Sequence, residues 1–179
     1  MLSQTNSSIA LHKANLLFSE LLVSNPRVLE FLDHHSNVLY LLGDREKLAF
    51  VAQLAAKVDR YRPETCCIIG NYYSLSSCHT DAVVQFRQAL QLDRNFSSAW
   101  TLLGHEYMKL EKTHSAINSY QHATVINNKD YRAFVGLAQA YESLEKPAVS
   151  LYNYRKALAL RPDDSDLWVM MATCLTSIL

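Results

Sequence analysis

The sequence predicts an all-α chain of antiparallel helix pairs stacked in register, and three observations predict it. Residues of matching type recur at an interval of 34. Within each interval the apolar and small residues stand three and four apart, the spacing of one face of an α-helix. Four glycines and four prolines in 179 residues supply too few sharp turns for a many-stranded sandwich or barrel.

The interval is legible in columns. Tyr73, Tyr107 and Tyr141 form one, and Ile69, Leu103, Leu137 and Met171 another. Gly70, Gly104 and Ala138 follow. In the second half of each unit Ala82, Ala116 and Ser150 align, then Phe86, Tyr120 and Tyr154, then Ala89, Ala123 and Ala157. Trp100, Phe134 and Trp168 share a further column, occupied one unit earlier by Cys66. The small residues let two helices approach closely, and the aromatic rings fill the space between them.

The elements follow in order. Residues 1–8, with the run SQTNSS from Ser3 to Ser8, read as a mobile leader. Residues 9–28 read as the second helix of a partial repeat, on Ala14, Phe18, Leu21 and Pro26, the proline ending the helix. Residues 29–62 form a degenerate repeat, in which Leu32, His35, Ser36 and Leu39 hold the first-helix columns while Leu48 and Ala52 replace the usual small residue and aromatic. Full repeats occupy 63–96, 97–130 and 131–164. Residues 165–179 then give the first helix of another, with Trp168, Met171, Ala172 and Leu175 on its inner face. A stacked array normally covers its terminal faces with polar residues, so the expectation is a piece of a longer array.

Composition narrows the function classes. Lysine and arginine number 17, as do aspartate and glutamate, so no strong net field favours nucleic acid or an anionic membrane. The longest apolar stretch, residues 16–23, is interrupted by Ser19 and Glu20, which argues against a span or a secretory signal. Cys66, Cys67, Cys78 and Cys174 lack paired Cys-x-x-Cys spacing, and no zinc site or other cofactor is expected.

The columns resemble the tetratricopeptide repeat family, whose pattern is a large residue, Leu-Gly, Tyr, then Ala, an aromatic, Ala and a closing Pro. That resemblance implies a right-handed superhelical solenoid of antiparallel helix pairs. The runs YRPETCCIIGNYYSL (61–75), AWTLLGHEYM (99–108), DYRAFVGLAQAYE (130–142) and LYNYRKALALRPDDS (151–165) further resemble the family of anaphase-promoting complex subunit 8, or cell division cycle protein 23. The resemblance implies a non-catalytic scaffold in a nuclear and cytoplasmic ubiquitin ligase of mitosis. Its partners would be other subunits of the complex and a segment of its activator. Members of that family are much longer and homodimerise through N-terminal repeats that have no counterpart in this sequence.

In stacked hairpins of this kind the first helices line the concave side, so their residues outside the packing columns are candidate ligand contacts. Positions 2, 5, 9 and 12 give Glu64, Cys67, Asn71 and Ser74, then Ser98, Thr101, His105 and Met108, then Arg132, Val135, Gln139 and Glu142. Asn71, His105 and Gln139 could hydrogen-bond a peptide backbone, Arg132 could pair an acid, and Glu64 and Glu142 a base. Asn71 leads, having no evident packing reason to stand in its column.

The alternative reading is a tetratricopeptide adaptor of some other assembly, against which only the family-specific runs argue, and two further rival classes fare worse. No His-Glu-x-x-His, phosphate loop, dinucleotide fingerprint or nucleophile elbow is present, and His105-Glu106 is followed at 109 by lysine. A chaperone-tail clamp wants lysine where Cys67 stands, asparagine at Leu102 and arginine at Gly136, leaving only Asn71 and Arg132 in place.

Overall fold

The computed structural model describes residues 2–24 and 31–176. Among them are ten helices and no strand: α1 (Leu2–Ser24), α2 (Leu32–Leu42), α3 (Arg45–Val58), α4 (Pro63–Leu75), α5 (His79–Leu92), α6 (Ser97–Lys109), α7 (Thr113–Ile126), α8 (Tyr131–Glu142), α9 (Pro147–Leu160) and α10 (Ser165–Thr176). They divide between two compact units, Met1–Arg94 and Asn95–Leu179.

In the first unit Leu32, Leu39, Leu48, Val51, Ala55 and Ile68 form a core, flanked by Tyr40, Ile69, Tyr72 and Leu75. Leu48 is fully buried in the column that holds Ala82 and Ala116 in later repeats, and Ala52 is buried in the column that holds Phe86 and Tyr120, so the degenerate repeat exchanges the large and small positions of its second helix. His35 is buried in α2 and shares a 3.0 Å hydrogen bond through Nε2 with Asn15 Oδ1 of α1, while Phe18 stacks on its imidazole at 5.1 Å. Helix α1 includes residues 2–8, where the sequence suggests a mobile leader. Pro26 lies outside the described residues.

The second unit repeats one packing device. Tyr120 of α7 is fully buried, and its ring lies in a slot between two glycines on neighbouring first helices. A Cβ at Gly104 of α6 would stand 2.6 Å from Tyr120 Cδ1 and 2.8 Å from Cζ, and one at Gly136 of α8 would stand 2.5 Å from Cε1. Only hydrogen at both positions admits the ring. Phe134, Leu137, Ala157, Leu158 and Leu167 continue the same core. One period on, Ala138, Tyr154 and Cys174 pack together, so there the tyrosine accommodates a methyl group.

Four hairpins turn through the same joint. Gly43, Ser77, Glu111 and Glu145, spaced by 34, all have left-handed backbone, with φ of 69°, 61°, 58° and 55°. The next residue's N–H then closes on a carbonyl five positions back: Asp44 to Leu39, Cys78 to Tyr73, Lys112 to Tyr107 and Lys146 to Tyr141, at 2.9 to 3.0 Å. This satisfies the last carbonyls of each first helix. In three of the four joints the accepting carbonyl belongs to the tyrosine column, whose side chains, Tyr73, Tyr107 and Tyr141, are all half-buried. Trp168 departs from its column. It is 52% exposed, and its indole Nε1 donates to the Pro162 carbonyl at 2.9 Å.

Candidate functional site

The first helices of each unit carry the sequence-predicted contacts, and packing sorts them into occupied and open positions. Asn71, on α4, is a correction to the sequence reading. It is only 2% exposed, and its Nδ2 donates to Ser36 Oγ and Asn37 Oδ1, each at 3.0 Å. The reason is that α4 packs on α2, so position 9 of one repeat reaches the same position of the repeat before it, Asn37. Ser74 repeats the arrangement, donating to the Tyr40 hydroxyl at 3.2 Å. Both are therefore cross-links between first helices, while Glu64, in the first turn of α4, is partly exposed. Cys67 is buried, and burial pushes its thiol well above the usual range.

In the second unit Thr101 is buried as well. Its hydroxyl lies 3.0 Å from Asp130 Oδ2 and 3.3 Å from the Ser97 carbonyl. Asp130 caps α8 by accepting from the Arg132 N–H at 3.2 Å, and it holds the Arg132 Nε at 3.1 Å. Arg132 thus has one edge fixed and the rest of its side chain partly open. His105 is half-buried and shares a 2.8 Å hydrogen bond through Nδ1 with the Tyr120 hydroxyl. Burial foremost, then the positive charges of Arg132 and Lys109, lowers the His105 pKa to about 4, so the ring is neutral near pH 7. Met108 is partly buried and packs against the core of this unit.

Two of the sequence-predicted positions, Gln139 and Glu142, remain. Gln139 is exposed, with its amide 4.0 Å from Met170 Sδ. Glu142 accepts from the Tyr154 hydroxyl at 2.9 Å. Burial, reinforced by that carboxylate, raises the Tyr154 pKa, which keeps the phenol a donor. Beside Glu142 opens a cavity of about 450 Å3 lined also by Glu145, Pro147 and Thr173. The sequence reading missed Glu145 and Thr173. Thr173 was within reach, since it lies 34 residues beyond Gln139 in the same column; Glu145 belongs to the turn, which column counting along a helix does not visit. Two carboxylates and a hydroxyl around that cavity suit a cationic group.

A family model described as tetratricopeptide repeat matches residues 97–130 and 131–164. The backbone carries the same hairpin outside those limits, with identical joints at Gly43 and Ser77. The described helices have the tetratricopeptide repeat fold. A thermophilic tetratricopeptide protein of Thermus thermophilus superposes with a TM-score of 0.82 over 97% of this chain and 95% of that one, at 19% identity, a likeness of fold alone. Closer in sequence are anaphase-promoting complex subunit CDC23 of Saccharomyces cerevisiae, 44% identical over 97 residues, and anaphase-promoting complex subunit 8 of Arabidopsis thaliana, 46% identical over 101. The matches take in 54% and 56% of this chain but only 16% and 17% of those proteins. As a tetratricopeptide array the chain is poorly built for the chaperone-tail clamp, since the slot that Tyr120 fills leaves no room for arginine at Gly136.

Proposed function

We propose that the chain is a non-catalytic tetratricopeptide scaffold segment of the subunit 8 type, working within the anaphase-promoting complex. It contacts neighbouring subunits and takes up a short basic segment of the activator on its first-helix faces. The observation that carries this reading is the 44 to 46% identity to subunit 8 and CDC23 over about half the chain. A generic helical hairpin does not by itself require identity of that order, since its packing columns fix only some of the positions. In the second unit Glu142, Glu145, Gln139 and Thr173 supply the recognition, with Met108 and Arg132 bordering it. Thr101 and His105 serve by fixing helices of that unit, while Asn71 and Ser74 fix α4 on α2 in the first unit.

The test has two arms. Affinity-tagged chain expressed in dividing cells is isolated and its companions identified by mass spectrometry; recovery of other complex subunits is expected, and their absence beside abundant chaperones would favour an adaptor of another assembly. An arginine-containing activator peptide is then titrated by fluorescence anisotropy. Glu142→Gln with Glu145→Gln should weaken it by about 10-fold, equivalent to about 1.4 kcal/mol. An unchanged affinity removes the cavity from the site.

A further inference from the structure

The second unit carries a charged face that the groove reading leaves unused. Between Lys146 and Arg161 the sequence holds four cations, Lys146, Arg155, Lys156 and Arg161, and no carboxylate. Helix α9 spans most of that stretch and buries Ser150, Asn153, Tyr154, Ala157 and Leu158. The helical period therefore turns Val149, Tyr152, Arg155 and Lys156 to the opposite side, and all four are exposed. Tyr152 is 58% exposed, a large apolar ring left in water on a helix whose other tyrosine is buried.

Charge and ring are coupled there. The Lys156 ammonium lies 4.7 Å from the centroid of the Tyr152 ring and 5.4 Å from that of Phe134, so it is held over two aromatic faces. Arg161 lies 4.4 Å from the Tyr131 centroid at the far end of the helix. Arg155 and Lys156 make no ion pair among the described residues, whereas Lys47, Lys109 and Arg132 are each paired with a carboxylate in their own neighbourhood. Unneutralised cations beside an exposed tyrosine and valine combine the two ingredients of a protein-binding patch, an aromatic anchor and an arginine, on one rigid helix.

We infer that the outer face of α9, built on Val149, Tyr152, Arg155 and Lys156, is a docking surface for an acidic peptide segment that also carries an apolar or aromatic side chain. Charge complementarity selects the occupant. The face offers no carboxylate to repel it, and Tyr152 and Val149 give its apolar residue a place to lie. A polyanion such as DNA is disfavoured, because four cations on a chain of zero net charge provide too few phosphate contacts for binding at ordinary salt. This surface is separate from the groove, whose acidic cavity selects cationic ligands.

The experiment uses the full 179-residue chain and a fluorescein-labelled probe, Glu-Glu-Leu-Phe-Glu-Glu-Leu, followed by anisotropy at two salt concentrations. Binding that weakens with salt is expected. Arg155→Glu with Lys156→Glu should reduce affinity by about 10-fold or more and Tyr152→Ser by about 5-fold, while Glu142→Gln leaves it unchanged. All three altered positions on α9 are exposed, and circular dichroism confirms that the variants keep their helices. Absence of binding to the unaltered chain overturns the inference, as does full affinity in the charge-reversed variant. Equal affinity for polyglutamate lacking Leu and Phe, or for single-stranded DNA of the same charge, also overturns it. The groove proposal is unaffected by any of these results, because its probe is basic and its variants lie at Glu142 and Glu145.

Discussion

Gly104→Ala should destabilise the chain although it improves helix propensity, and the two effects can be weighed from the slot around Tyr120. Replacing a helix-interior glycine with alanine gains about 1 kcal/mol. Against that, the new methyl carbon would stand 2.6 Å and 2.8 Å from ring atoms of a fully buried side chain. Overpacking of this kind costs about 1 to 3 kcal/mol. The ring cannot retreat, because Gly136 bounds it on the other side, so the upper half of that range applies and the net loss is about 1 to 2 kcal/mol. In a chain of this size the melting midpoint falls by roughly 2 to 8 °C, readable by circular dichroism at 222 nm. Tyr120→Leu removes the ring, and in that background Gly104→Ala should raise the midpoint, since only the propensity gain remains. Ala138, which already packs with Tyr154, is the internal control: Ala138→Gly should cost about 1 kcal/mol. A higher midpoint for Gly104→Ala in the unaltered chain, or an equal loss with and without Tyr120, would refute the slot.

Three further outcomes are expected. Glu111→Gly relieves a left-handed glutamate and should stabilise by about 0.5 to 1 kcal/mol, whereas Gly43→Ala, where a methyl group meets nothing within 4 Å, should cost about 1 kcal/mol through backbone strain alone; urea midpoints decide both. His105 stays neutral in the folded chain down to about pH 4, while the unfolded chain takes up that proton near pH 6.5. Stability is therefore full above pH 6.5 and declines as pH falls towards 4, by up to about 3 kcal/mol and less in proportion to the ring's partial exposure; His105→Gln should flatten that slope, and an unchanged slope would contradict the assignment. Thr101→Val preserves shape but withdraws a hydroxyl from buried Asp130, and a loss of about 1 to 2 kcal/mol in chemical denaturation is expected, with no change if water replaces it.

The helices were legible in the sequence because their packing columns are chemically loud. Ala89, Ala123 and Ala157 are all fully buried, as are Phe86, Tyr120 and Tyr154 within a percent, and each column repeats the same size of side chain. The joint column was silent. Gly43 hints at left-handed backbone, but Ser77, Glu111 and Glu145 do not, since the turn imposes a conformation those residues would not choose. Asn71 shows a different limit. Counting positions gives a side chain's direction around its own helix and says nothing of how near the preceding helix comes, and the approach of α2 is what converts an expected ligand contact into a buried amide bridge. Gln139 is exposed, as its position suggests, whereas Glu142 is half-buried and bonded to Tyr154 of the following helix, which position counting does not foresee.

The recurring left-handed joint makes tolerance to length change come in quanta. Adding or removing a whole 34-residue segment between joints would leave every remaining hairpin closed by the same hydrogen bond. A single extra residue inside a first helix would instead rotate all later side chains of that helix by about 100°, carrying Gly104 away from Tyr120 and breaking the match on which the second unit depends. Variation in the size of such arrays is therefore confined to whole hairpin steps, with smaller insertions admitted only in the links between them.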